Sequence, residues 1–171
     1  MAEATKTDCA QMAVTVEAHE KLKPFVGTFK STIKMWMGPG DPHVSTGVME
    51  NRMELGGRYL HQSYKGDDAA GPFPNFEGRG YWGFNTVTCK YEGFWIDTVS
   101  TCMQTETGDV DATGKVWTMT GKTSNPQTCQ AMKKRSVITL HDDDTHMLEM
   151  YFQGPDGNES KGMEITYTRI K

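Results

Sequence analysis

Arg58 and Asp97 are the charged residues whose surroundings most invite chemistry. Arg58 follows Gly56-Gly57, where the chain must turn sharply, and Asp97 shares a strand face with Trp95. If that face lines an interior, the Asp97 carboxylate needs a partner, because a buried unpaired charge is costly. An arginine fork pairs bidentately with a carboxylate. An Arg58–Asp97 pair would then orient the polar end of a ligand or brace the mouth of the fold. Glu50 and Glu54 share one strand face and carry a similar ambiguity, between acid–base work and a solvated surface. The five histidines, His19, His43, His61, His141 and His146, form no HxH or HExxH pattern. His61 and His146 are the two that could ligate haem or, with nearby carboxylates, a metal. The plainer reading is a satisfied strand residue in each case, so no metal ligand and no cofactor is assigned. Cys9, Cys89, Cys102 and Cys129 make no CxxC pair, so free thiols are expected rather than zinc ligands or disulfides. With no serine nucleophile elbow and no glycine-rich phosphate loop, no catalytic residue can be named.

These residues must be held by strands. Residues 1–10 are polar and aperiodic and read as a flexible tail; residues 11–171 read as one domain. Met12, Val16, His19 and Leu22 recur at helical spacing and predict a short amphipathic helix over 11–23, ended by Pro24. Beyond it the hydrophobic period becomes two. Strands are predicted over 25–37, 43–55, 58–66, 76–84, 90–98, 100–107, 115–122, 132–141, 145–153 and 160–170. The breakers are Gly38–Pro42, Gly56-Gly57, Gly66–Asn75, Gly108–Gly114 and Gly154–Asn158. No helical pattern interrupts the strands, which excludes a βαβ architecture. The fold class is therefore all-β, an antiparallel up-and-down barrel of about ten strands with a short N-terminal helix.

The strand faces suggest what the barrel holds. Phe76, Gly78, Gly80, Trp82 and Phe84 share a face, as do Tyr91, Gly93, Trp95 and Asp97, and Trp117 with Met119. Glycine within a strand leaves space or permits bending, and the chain's twelve methionines suit irregular, adaptable volume. Core packing explains any one of these residues, whereas the ensemble favours a cavity. The candidate ligand-binding set is Arg58, Trp82, Tyr91, Trp95, Asp97, Trp117, Met119 and Tyr151. At least two of the indoles, with Asp97, should line a cavity entered near the N-terminal helix. The alternative for the same rings is mutual packing or a homodimer surface.

The runs Glu54-Leu55-Gly56-Gly57-Arg58-Tyr59-Leu60, Phe76-Glu77-Gly78-Arg79-Gly80, Gly83-Phe84-Asn85 and Trp95-Ile96-Asp97-Thr98 resemble a bacterial family of calycin-like proteins of unknown function. The resemblance covers roughly residues 15–170. It implies a meandering barrel, related in plan to lipocalins, fatty-acid-binding proteins and nitrobindin-like haem proteins, typically with an internal cavity. It implies no activity. Gly27-Thr28-Phe29 also resembles the lipocalin Gly-x-Trp signature with Phe in place of Trp. Arg169 resembles the arginine that packs over that ring.

The functional expectation is a carrier or sensor for a small hydrophobic or amphipathic molecule. The alternatives are an isomerase- or cyclase-like enzyme acting on such a molecule, and a haem-binding barrel. The formal net charge of -4 and the absence of a basic stripe argue against nucleic acid. No apolar run reaches membrane-spanning length and no signal peptide is visible, so the expected location is the cytoplasm.

Overall fold

The computed structural model describes residues 12–67, 72–125 and 128–171. Ten antiparallel strands follow one another around a closed barrel: β1 (Gly27–Met35), β2 (His43–Glu54), β3 (Tyr59–Gly66), β4 (Glu77–Asn85), β5 (Lys90–Asp97), β6 (Gln104–Val110), β7 (Val116–Asn125), β8 (Gln130–Leu140), β9 (Thr145–Gln153) and β10 (Glu159–Arg169). Each strand pairs with its chain neighbours, and β10 closes on β1 with Phe29 opposite Arg169. Closure leaves no free sheet edge, which is why alternating strands with short turns adopt it. No helix of the described residues is long and apolar enough to cross a membrane.

The expected strands are all present, and two local expectations are corrected. The sixth strand runs over Gln104–Val110 rather than 100–107, with Gly108 inside it. A Cβ at Gly108 would lie 1.9 Å from the Thr118 carbonyl oxygen, so glycine there serves close approach of β6 to β7. The turn falls instead at 111–115, where the Asp111 carboxylate accepts the Lys115 and Val116 N–H groups. The helix, α1, spans only Glu17–Glu20. Val14, Thr15 and Val16 are β-branched and favour extended backbone. Pro24 does not end α1 but sits inside a separate 3-10 turn, Lys23–Phe25. The tail expected over 1–10, including Cys9, lies outside the described residues; Cys89, Cys102 and Cys129 are unpaired.

The barrel has two unlike ends. At the helix end lie α1, the 3-10 turn and the hairpins after β2, β4, β6 and β8. At the loop end lie the connections after β1, β5 and β9 and the described parts of those after β3 and β7. Leu22 and Phe25 drop into the helix end and pack with Leu60, Trp82, Tyr91, Trp117 and Met119, none more than 7% exposed. The ring of Phe25 lies 5.2 Å from that of Trp82 and 5.1 Å from that of Trp117. A second cluster, Phe29, Met49, Tyr64, Ile165 and Tyr167, fills the wall formed by β1, β2, β3 and β10.

Arg169 locks the helix-end seam. Its guanidinium carbon lies 4.5 Å over the Phe29 ring, as the lipocalin resemblance implies. Its N–H groups donate to the carbonyls of Pro24, Val26 and Asp143 at 2.6–3.0 Å. Gly27, at φ +134°, makes the approach possible: a Cβ there would stand 2.3 Å from Arg169 Nη1. The Asp142-Asp143-Asp144 run is the β8–β9 hairpin tip, held down by this arginine.

Candidate functional site

The alternation of β4 through β9 sets which side chains point inward. Gly78, Gly80 and Trp82 face the interior, as do Tyr91, Gly93 and Trp95; the same holds for Gln104, Glu106 and Gly108. Trp117, Met119 and Gly121 continue the row, followed by Lys134, Ser136 and Ile138, then His146, Leu148, Met150 and Phe152. Toward the helix end these side chains are sealed. Toward the loop end Trp95, Gln104, Glu106, Met150, Phe152 and Met163 are only half-buried.

The expected ligand-binding residues do not form one group. Trp82, Tyr91, Trp117 and Met119 come together, but as the plug of the helix end. The Trp82 and Trp117 rings are 5.6 Å apart in an edge contact, and the Tyr91 hydroxyl donates to the Ala18 carbonyl at 2.9 Å, tying α1 to the barrel. An entrance beside the helix is therefore ruled out; the packing closes it. Trp95 lies deeper, on the loop side. Asp97 is at the loop-end rim, in a notch of about 260 Å³ with Gly78, Arg79 and Thr98, where its carboxylate accepts the Val99 N–H at 3.1 Å. Arg58 is at the other end of the barrel, in the β2–β3 turn, donating to the carbonyls of Leu55 and Ala13. The expected Arg58–Asp97 pair does not exist, because β3 and β5 carry the two residues to opposite ends. Tyr151 faces outward: Arg135 covers its ring at 4.2 Å, and its hydroxyl donates to Glu149 at 3.2 Å.

The glycines also act differently from expectation. A glycine next to a ring on one strand does not leave that ring bordering empty space. The space is filled from the neighbouring strand, because Gly80 pairs with Trp95 and Gly93 with Trp82. A Cβ on Gly78 would fall 2.0 Å from the Trp95 indole and one on Gly80 2.8 Å from it. The Trp95 ring thus lies flat along β4 on a bed of two glycines.

The histidines divide across the wall. His146 is inward and 5% exposed, stacked on Tyr167 at 4.5 Å and met edge-on by Phe25 and Phe29. Burial, with the nearby Arg169 charge, pushes its pKa down to about 3, so it is neutral at ordinary pH. His61 is outward, 4.9 Å from the Tyr81 ring. A site joining His61 to His146 is excluded, since they lie on opposite faces of the sheet. Among the described residues no three His, Cys, Asp or Glu side chains are grouped to hold a metal.

Two arrangements were not foreseen. The first is a polar cluster on the inner wall. Lys134, with its side chain 3% exposed, sits 3.2 Å from Glu106 Oε2. Lys134 also donates to Gln104 Oε1 at 3.3 Å, and the Ser136 hydroxyl donates to Glu106 Oε2 at 2.8 Å. Lys134 stands in a Lys-Lys-Arg run that reads as surface; the signal that could have placed it inward is its even spacing from Ser136 and Ile138. The second is an open groove of about 1030 Å³ on the outer face of β3–β7, lined by Tyr59, Tyr81 and Phe94 with Lys90, Glu92 and Lys122. Beside it, the Tyr81 hydroxyl donates to Glu54 at 2.7 Å, which holds the Glu54 carboxyl below its usual range and pushes the Tyr81 phenol up.

With this geometry established, the family can be assigned. The model of a family described as "Protein of unknown function (DUF1579)" matches residues 15–169. The chain belongs to that family. No curated protein matches it. Among solved structures it is similar to Rv2717c from M. tuberculosis, at 15% identity, with 92% of this chain and 100% of that chain covered and a TM-score of 0.64. It is also similar to the S-type phycobiliprotein lyase CPES from Guillardia theta, at 12% identity, with 94% and 97% covered and a TM-score of 0.59. Both likenesses are of the barrel, as the resemblance in sequence led one to expect.

Proposed function

We propose that this protein is a binding barrel that admits the apolar part of a small amphipathic molecule through its loop end. The observation that carries this reading is the difference in sealing along the interior. The helix end is packed to full burial, whereas on the loop half the inward Trp95, Met150, Phe152 and Met163 are only partly buried. Large apolar side chains left partly open on a concave inner face lose less water-exposed area than a finished core would, and a ligand completes the burial. Methionines there adapt to the ligand's shape. The outer groove is open along its length and cannot shield an apolar chain from water to the same degree. The haem alternative loses its inward candidate, since rings pack His146 on several sides.

A neutral apolar dye, N-phenyl-1-naphthylamine, tests the reading. Saturable one-site fluorescence enhancement is expected, weakened roughly tenfold in Trp95→Ala and unchanged in Tyr151→Ala. A loss in Phe94→Ala with Trp95→Ala unaffected would move the site to the outer groove and overturn the proposal.

A further inference from the structure

The inner polar cluster is built across three strands in one row. Glu106 on β6 pairs in register with Gly121 on β7, and Gly121 with Lys134 on β8. Gly121 carries no side chain, and a Cβ there would stand 2.1 Å from the Thr105 carbonyl oxygen and 3.0 Å from the Glu106 Cβ. The carboxylate and the ammonium group therefore meet over the glycine. Around them the register places Trp95 beside Gln104, Gly93 beside Glu106, Phe152 beside Lys134 and Met150 beside Ser136. The ion pair is thus set in an apolar wall on the loop half of the interior, with Lys134 and Ser136 buried and Glu106 partly exposed.

Its hydrogen-bonding capacity is only partly used. Glu106 Oε2 accepts from Ser136 and forms the ion pair with Lys134, while Glu106 Oε1 has no partner among the described residues. Lys134 donates one of its three N–H groups to Gln104 and stands in an ion pair with Glu106. The Gln104 amide accepts that bond through Oε1, and its own N–H donors have no partner among the described residues. The cluster is neutral as a whole, yet it retains one strong acceptor and several donors. A buried ion pair often gives no more stability than well-packed apolar residues of the same volume, so packing alone does not account for its presence.

We infer that this cluster selects ligands whose polar end is uncharged and carries a donor and an acceptor side by side, as a carboxamide or lactam does. The N–H of such a group would satisfy Glu106 Oε1, and its C=O would take a donor from Lys134 or Gln104. A carboxylate end would meet Glu106 at close range and bring an uncompensated charge into the apolar wall. An ammonium end would meet Lys134 with the same result. The Asp97 carboxylate at the rim adds to the discrimination against anions.

This inference rests on the binding reading above, and the test separates the two. Decanamide, decanoate and decylamine share one apolar chain and differ in the head. Each is used at pH 7.5 to displace N-phenyl-1-naphthylamine. Decanamide should displace the dye at roughly tenfold lower concentration than either charged analogue. Glu106→Gln leaves Lys134 as a lone positive charge, and decanoate should then become the strongest of the three. Lys134→Met leaves Glu106 alone, and decylamine should gain instead. The double variant Glu106→Leu/Lys134→Met, which carries neither charge, should bind the dye and lose the preference for the amide. Equal displacement by all three in the native protein, or strongest displacement by decanoate, would overturn the inference and leave the binding reading standing. Failure of the native protein to bind the dye would overturn both.

Discussion

At the helix end, Leu60, Trp82, Tyr91, Trp117 and Met119 turn inward and find Leu22 and Phe25 waiting from outside the sheet. Half a barrel away, Trp95, Glu106, Met150 and Phe152 turn inward from β5, β6 and β9, and no helix or 3-10 turn of the described residues folds over them. The alternation that produces both regions is one pattern; what differs is a dozen residues of chain folded over one mouth. A closed barrel of ten strands is wider than its own side chains comfortably fill. Sealing one end with an added aromatic wedge concentrates the shortage of packing at the other. The stable half and the receptive half are thus consequences of a single placement, that of α1 and the 3-10 turn.

The comparison predicts unequal costs for similar substitutions. Trp117→Ala, in the sealed end, should destabilise the protein by about 3–5 kcal/mol, the usual range for removing a large buried ring. Trp95→Ala, on the loop side, should cost clearly less while weakening dye binding roughly tenfold. Urea unfolding of the two variants measures the difference, and equal costs would erase the distinction between the ends.

His146 provides the next effect, through pH. Its pKa is held near 3 in the folded protein and returns to about 6.5 on unfolding. The unfolded chain therefore binds the proton more readily, so stability is full above about pH 6.5 and falls as the pH drops toward 3. At pH 5 the loss amounts to about 2 kcal/mol relative to pH 8. His146→Phe should remove this portion of the pH dependence, leaving the carboxylate-driven loss at lower pH. Identical pH profiles for the native protein and the variant would show that the ring pocket around His146 admits a proton freely.

Arg169→Lys should cost about 1–2 kcal/mol, since a lysine can neither lie flat over Phe29 nor reach three carbonyls from a planar fork. The effect belongs to the sealed end, so dye affinity should hold while thermal stability declines.

The barrel was legible from the sequence because its information is local. Period-two segments and the Gly-Gly, Gly-Pro and Asp-Gly breakers between them mark strands without any knowledge of partners. The pairing of Phe29 with Arg169 was legible for a different reason, the resemblance of Gly27-Thr28-Phe29 to a known signature. The candidate site was much less so. Its residues lie on three strands, and what brings Glu106 to Lys134 is a register through Gly121 that no single segment encodes. Lys134 was hidden in a run of basic residues, two of which do face outward. Arg58 and Asp97 were joined in expectation because their charges match; the strand lengths that separate them are tertiary facts. The glycines misled in the same way, since each is filled by a ring from the next strand.

The smallest predicted effect on stability is the most informative about why the inner ion pair exists. Replacing Glu106 alone leaves the buried Lys134 ammonium without its partner and should cost about 3–5 kcal/mol, whereas replacing Lys134 alone leaves the partly exposed Glu106 and should cost less. Replacing both, as Glu106→Leu/Lys134→Met, removes two desolvated charges together and supplies apolar volume to a wall already made of Trp95, Met150 and Phe152. The Ser136 hydroxyl and Gln104 lose a partner, which offsets part of the gain. The net change should fall within about 1 kcal/mol of the native protein, with either sign. A near-neutral double variant would mean that the fold does not depend on the pair, and that its presence on the loop half of the barrel answers to something bound there. A double variant as unstable as the singles would instead make the pair a structural strut between β6 and β8, and the division of the interior into a stable half and a receptive half would have to be redrawn.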